Sequence, residues 1–264
     1  MTNSIKAIAF DFGNTLCAWD ERQYWQVTRN TMNAICSHAP GHDFDSAYEV
    51  FNRLRGEHSA RNLPRMVEND LVEILAQTAE ELRGKPLSKS DLQEVVHTHV
   101  RSFVEVCGAP HKLRGFLDRL SAKYRLGLLS NYPISDCIRL SLKRMGIDGY
   151  FSPTIVSGDL GVIKPARRIF GELLAEMNLP PEEVLFVGDD WTADIVGACA
   201  SGIPCVHILD SSAEREPRSL EGVFGVYLRK ALESPELSCW AEAKPVAVMK
   251  SVLELEPWLE DRNA

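Results

Sequence analysis

Residues 7–15 read Ala-Ile-Ala-Phe-Asp-Phe-Gly-Asn-Thr, an apolar run that meets a carboxylate and then turn-forming residues. Unbroken apolar character, rather than alternation, is what a strand covered on both faces requires. The run spans Ala7–Phe12, and four more follow: Tyr124–Leu129, Thr154–Val156, Val184–Val187 and Pro204–Leu209. Between the later runs lie helix-period segments: Ile138, Leu142, Met145; then Ile169, Phe170, Leu173, Leu174, Met177; then Ile195, Ala198. Strand–helix alternation with right-handed crossovers predicts an α/β fold with a doubly wound, mainly parallel, Rossmann-like sheet. Pro245–Met249 reads as a sixth strand, with Leu253–Leu259 closing the chain. Residues 211–219 read as exposed loop, and Val223–Leu228 as an extra strand or hairpin.

The first crossover is far too long. Roughly a hundred residues separate the first two runs, where a crossover takes a few tens. Amphipathic helix patterns fill the interval. Trp25, Thr28, Met32 and Ile35 form one face, Phe44, Ala47, Tyr48, Phe51 and Leu54 another, and Leu71, Ile74, Leu75, Thr78 and Leu82 a third. Leu92, Val95, Val96, His99 and Phe103 follow Ser88, with Asp91 three residues on in the manner of a capping box. The expected organisation is an all-helical cap domain at 18–108, inserted into an α/β core formed by 1–17 and 109–264. The helix with Leu113, Phe116, Leu117 and Leu120 resumes that core.

The composition is that of a globular protein: 264 residues, 45% hydrophobic and 25% charged. With 29 Lys and Arg against 37 Asp and Glu, the net charge of −8 excludes the basic face that a nucleic-acid or anionic-membrane binder needs. The cysteines are scattered with no C-x-x-C pair, as expected of thiols in a reducing compartment. Neither a signal-peptide core nor a run of about eighteen apolar residues occurs, so a cytoplasmic monomer or homodimer is expected.

In open α/β sheets ligands bind beyond the carboxyl ends of the strands. The first strand ends in Asp11-Phe12-Gly13-Asn14-Thr15 and the second in Ser130-Asn131. Gly161-Val162-Ile163-Lys164-Pro165 follows the third, and Gly188-Asp189-Asp190, with Asp194, follows the fourth. Carboxylates, one hydroxyl and one ammonium therefore converge on one edge. Clustered carboxylates repel unless a cation sits among them, and such hard oxygen ligands suit Mg²⁺.

In order and spacing these motifs resemble those of the haloacid dehalogenase-like hydrolase superfamily, in the subfamily with a helical cap inserted after the first motif. The resemblance implies Asp11 as nucleophile and Mg²⁺ ligand, with the Gly13 carbonyl as a second ligand. It implies that Ser130 and the Asn131 backbone bind phosphoryl oxygens and that Lys164 offsets charge on Asp11 and the phosphoryl group. Asp189 would ligate the metal, and Asp194 would orient metal waters or Lys164. The implied activity is Mg²⁺-dependent phosphohydrolysis of a small phosphorylated metabolite through an aspartyl-phosphate. A carboxylate attacks phosphorus only when the repulsion between the two anions is neutralised, and a cation with Lys164 would do that.

One position departs from the family pattern. The second Asp, which protonates the leaving alcohol, is replaced by Gly13, and general acid catalysis is worth ~10²–10⁴-fold. That leaves three options: Asp20 or Glu21 substitutes, the substrate carries a good leaving group, or turnover is slow. Alternative functions are a hydrolytic dehalogenase using the same Asp, disfavoured by retention of Asp189 and Asp194, and a low-activity binding protein on the same scaffold. Successive strand-end residues point oppositely, so Asp190 reads as a solvated neighbour of Asp189. His97 and His99 lie on different sides of a helix, Cys17 reads as packing, and Tyr24 and Trp25 read as cap core or pocket lining.

Overall fold

The computed structural model describes residues 4–209 and 234–263. The loop at 211–219 and the strand or hairpin expected at Val223–Leu228 lie outside them. Six parallel strands form one sheet in the order β3-β2-β1-β4-β5-β6. They are β1 (Ala7–Phe10), β2 (Arg125–Ser130), β3 (Phe151–Val156), β4 (Val184–Gly188), β5 (Cys205–Ile208) and β6 (Ala247–Met249). Strand order reverses about β1, which lies between β2 and β4. That reversal opens the crevice in which such sheets bind ligands.

The period-two alternation of each strand divides the core into two layers. Ile8, Phe10, Leu126, Leu128, Leu185 and Val187 face helices α5 (Leu113–Ser121) and α6 (Ser135–Met145) and the C-terminal helix Leu255–Asn263. Ala7, Ala9, Leu129, Val184 and Phe186 face helix Arg167–Met177 through Ile169, Phe170, Leu173 and Met177. Both faces of β1 are thus buried, as its sequence requires.

Strand boundaries shift by one to three residues from expectation, β1 ending at Phe10 rather than Phe12 and β6 starting at Ala247 rather than Pro245, and two of the shifts have local reasons. β3 starts at Phe151 rather than Thr154, because Ser152-Pro153 interrupts the apolar run while the backbone continues through a register irregularity against β2. β5 starts at Cys205 because Pro204 has no N–H, although its carbonyl still accepts from Phe186 N.

Helices α1 (Glu21–Ser37), α2 (Phe44–Asn62), α3 (Leu71–Arg83) and α4 (Lys89–Val106) fill the interval between β1 and β2. Asp20, Asp43, Asp70 and Ser88 cap their N-termini, and Ser88 accepts from Asp91 N at 3.1 Å. Met32, Ile35, Phe51, Leu54, Leu71, Ile74, Leu75 and Val95 make a cluster internal to these helices. α4 faces two ways: Val95 joins that cluster, while Val100 and Phe103 join the core cluster shared with the sheet. Cap and core are also tied by an antiparallel bridge, Val67 to Val162, flanked by Ile163 N→Met66 O at 3.0 Å and Glu68 N→Gly161 O at 3.1 Å. Among the described residues no helix is long and apolar enough to cross a membrane.

The dual role of α4 generates a stability prediction. Phe103 is buried and its ring lies 4.4 Å from those of Trp19 and Tyr132. Phe103→Ala should cost about 3–5 kcal/mol in a urea unfolding experiment. A loss below about 1 kcal/mol would show that the cap does not share the core.

Candidate active site

The site is built where β1, β2 and β4 end. Asp11 continues the ladder past β1 through its N–H to Val187 O at 2.9 Å, which fixes its side chain at the crevice. The chain then turns tightly: Asn14 N donates to Cys17 O at 2.6 Å, and Asn14 takes a left-handed φ of 53°. Asn tolerates that conformation, and its Oδ1 accepts from Trp19 N at 2.8 Å. The turn brings Trp19 beside Gly13. Gly13 itself is not left-handed, and a Cβ there would meet Trp19 Cβ at 3.7 Å, an ordinary contact.

Lys164 is the centre of the arrangement. It is 2% exposed, and its Nζ donates to Asp11 Oδ1 at 2.7 Å and Asp194 Oδ1 at 2.6 Å. The side chain of Asn131 clamps the Lys164 backbone from both sides, Oδ1 accepting from Lys164 N at 2.8 Å and Nδ2 donating to Lys164 O at 3.0 Å. The sequence reading gave Asn131 only a main-chain role; its side chain positions the lysine. Ser130, buried at the end of β2, opens onto the same cavity.

The fourth motif folds around its carboxylates. Asp194 lies on a π-helical turn, Trp191–Val196, where both Asp194 N and Ile195 N donate to Asp190 O. Its Oδ2 accepts from Asp190 N at 2.9 Å. A Cβ on Gly188 would lie well inside contact distance of the Asp194 carboxylate, so only glycine fits there. Asp190 is more than a solvated neighbour, since it caps the turn by accepting from Ala193 N at 2.6 Å. His207 on β5 holds the Asp189 carbonyl at 2.8 Å through Nε2.

Asp11, Asp189 and Asp194 each offer one oxygen, and these oxygens lie within 4.8 Å of one another. Burial raises the Asp11 pKa to about 6 against the opposing pull of Lys164, with Asp194 raising it further. Burial and then the neighbouring carboxylates push Asp189 well above its ordinary value, and burial also raises Asp194. Burial alone would discharge Lys164, but the two carboxylates outweigh it and hold the ammonium above its usual pKa. Three carboxylates share one ammonium, so a further cation is what this donor set accommodates. Hard oxygen donors of this kind suit a divalent cation.

These residues line one cavity of about 470 Å³, roofed by the helical insertion. Trp19, Phe103 and Tyr132 supply aromatic walls, and Tyr24, Arg55, Glu68, Asn69 and His99 supply polar ones. Tyr24 therefore lines the pocket, whereas Trp25 is absent from the lining and donates to Glu21 at 3.1 Å. Neither proposed substitute acid reaches the cavity. Asp20 is consumed by capping α1 through Arg22 N and Gln23 N, and Glu21 accepts from Trp25. Glu68, which carries no motif, does line it, with its pKa raised by burial and its carboxylate accepting from Ser157 Oγ. Cys17 is buried, its thiol pushed up by a hydrogen bond with Cys107 and by burial, as a packing residue should be.

His99 belongs to a buried relay rather than a metal site. Thr31 Oγ1 donates to Val27 O at 2.8 Å, so it accepts from His99 Nδ1 at 3.0 Å, and His99 Nε2 accepts from Tyr132 OH at 2.9 Å. This fixes the neutral tautomer and joins α1, α4 and the loop after β2.

Two predictions follow from this geometry. Gly188→Ala should displace Asp194 from Lys164 and lower hydrolysis about 100-fold or more with native circular dichroism; near-normal turnover would refute the packing argument. Burial lowers His99 to a pKa of about 4 from 6.5. The unfolded chain takes the proton first, so unfolding free energy should fall as pH drops from 6.5 towards 4, by about 1.4 kcal/mol per unit from this residue. Subtracting the pH–stability curve of His99→Gln from that of the wild type should isolate this slope.

The haloacid dehalogenase-like hydrolase family matches residues 5–202. A glyceraldehyde 3-phosphate phosphatase of Methanothermobacter thermautotrophicus is 33% identical over 112 residues, covering 42% of this chain and 49% of that protein. The chain thus spans about half the length of that relative. Another, from Pyrococcus furiosus, is 28% identical over 76% of this chain and 80% of its own length. Among solved structures, a 2-haloacid dehalogenase of Pseudomonas syringae superposes with a TM-score of 0.64 at 18% identity, over 98% of this chain and 100% of that one. At that identity the last shares the fold alone. With the family matched from Ile5 to Gly202, across all four motifs, the chain belongs to the haloacid dehalogenase-like hydrolases.

Proposed function

We propose that this chain is a Mg²⁺-dependent phosphatase of small phosphomonoesters, working through an aspartyl-phosphate on Asp11. The observation that carries the reading is the excess of buried carboxylates over ammonium groups at the strand ends. A dianionic phosphoryl group can enter only if that charge is offset, whereas dehalogenation at carbon creates no such need. The relatives that align with this chain are named as phosphatases.

Asp11 Oδ1 is held by Lys164, leaving Oδ2 to attack phosphorus. The P–O ester bond breaks, and its electron pair departs on the substrate oxygen. Ser130 and the Asn131 N–H hold the equatorial oxygens, while Lys164 offsets charge on nucleophile and phosphoryl group together. Water then attacks the acyl phosphate at phosphorus, freeing phosphate and regenerating Asp11. Mg²⁺ held by Asp11, Asp189, Asp194 and the Gly13 carbonyl would neutralise phosphoryl charge.

The leaving oxygen has no carboxylic acid at position 13. Anomeric, acyl and aryl phosphates, whose leaving groups need little protonation, should therefore react best. Asp11→Asn should lower turnover of an aryl phosphate about 10³-fold or more, and excess EDTA should abolish it; activity surviving either change sinks the mechanism. Gly13→Asp, whose Cβ makes only an ordinary contact with Trp19, should accelerate alkyl phosphates about 10²-fold. If that variant folds and the dependence of rate on leaving-group pKa stays as steep, our account of Gly13 is wrong.

A further inference from the structure

Two cations line the cavity among its described residues, and they differ in kind. Lys164 is neutralised on both sides by Asp11 and Asp194. Arg55, on α2 in the cavity roof, is not paired with a carboxylate in any ion pair of the described residues. Its Nη1 donates to Tyr24 OH at 2.7 Å and its Nη2 to Asn52 Oδ1 at 2.9 Å. The guanidinium carbon also lies 5.5 Å from the Tyr24 ring and 5.7 Å from that of Phe51. The group is therefore held in place by neutral partners, with N–H donors to spare out of its five.

A fixed guanidinium facing a half-closed cavity is a geometry for a planar or tetrahedral oxyanion, which it binds through paired donors. It does not serve the phosphoryl group, whose place at the strand ends already has Lys164. We propose that Arg55, oriented by Tyr24, is a specificity-determining residue that selects phosphomonoesters carrying a second anionic group, a carboxylate or a second phosphate, at the end remote from the scissile bond. Deepening the phosphatase reading, this inference rests on it and adds to it the charge of the substrate body.

The experiment compares paired substrates with Mg²⁺ in the full-length protein. Phosphoglycolate is set against its neutral counterpart 2-hydroxyethyl phosphate, fructose 1,6-bisphosphate against fructose 1-phosphate, and p-nitrophenyl phosphate serves as reference. The quantity read is the ratio of kcat/KM within each pair. The wild type should favour at least one anionic member about 10- to 100-fold, the worth of one charge-assisted contact. Which pair shows the preference tells carboxylate from phosphate. Arg55→Gln should bring that ratio towards one, chiefly through KM, and Arg55→Lys should restore part of it. A merely structural role for Arg55 would scale both members of a pair alike and leave the ratio where it was.

A wild-type ratio near one in both pairs, or the same ratio in Arg55→Gln, overturns the inference while hydrolysis of p-nitrophenyl phosphate keeps the phosphatase reading. No hydrolysis of any of these compounds overturns both.

Discussion

An ammonium buried between two carboxylates sets the terms for the rest of this structure. Removing Lys164, Asp11 and Asp194 from water carries a desolvation cost of several kcal/mol per ion, which mutual attraction repays only when geometry is tightly held. The surroundings hold it. Asn131 grips the lysine backbone at both its polar atoms, Asp190 N grips the free oxygen of Asp194, and the absent side chain of Gly188 leaves the carboxylate its place. Even so, two carboxylates already outnumber the one ammonium, the third, Asp189, deepens the negative balance, and burial raises the pKa of all three acids. The pocket is thus arranged so that a bound cation would relieve a charge imbalance that the polypeptide alone leaves in place.

Much of the fold was legible because buried parallel strands and amphipathic helices have periods of their own. All six described strands correspond to apolar runs, and every helical stripe read between Trp25 and Phe103 became a helix. Legibility failed where a residue's partner is distant in sequence or where a local pattern was passed over. Asn131 contacts Lys164 across 33 residues, and nothing local announces the pairing. Asp20, one of two candidates for the missing acid, sits in Asp20-Glu-Arg-Gln23, a capping-box sequence in which the acid is already committed to the helix. Arg55 was readable in principle. It falls four residues after Phe51 and seven after Tyr48, so it occupies the apolar face of α2, where an unpaired charge is costly without a purpose. The widened π turn had no signal, since one added residue per turn is invisible to a helical period.

The same accounting explains why the helical insertion is not an independent body resting on a finished enzyme. Phe103 closes an aromatic group with Trp19 and Tyr132, so one wall of the pocket comes from the loop after β1, another from α4, and the third from the loop after β2. The His99 relay crosses the same boundary with a hydrogen bond to Tyr132. Pocket lining and core packing therefore draw on shared side chains, and the apolar area buried at this junction stabilises both.

The tie between Met66–Glu68 and Gly161–Ile163 gives this sharing a mechanical consequence. Ile163 N is bonded to the carbonyl of Met66 in the insertion, and the next residue is Lys164, whose own backbone is fixed by Asn131. The roof of the cavity is thus one peptide away from the ammonium that pairs with Asp11. Ser157 binds Glu68 of the roof and, through its Oγ, accepts from Tyr132 N in the loop after β2. A displacement of the roof large enough to admit a substrate from the side must either break these bonds or carry the Lys164 loop with it. The bonds are few, whereas α4 is anchored by buried Val100 and Phe103. Because breaking a few hydrogen bonds costs less than exposing a buried aromatic cluster, the α4 side is the fixed side of the roof and the Met66–Glu68 side its weaker edge. Electrostatic complementarity at the strand ends and access to them are therefore governed by the same short stretch of chain.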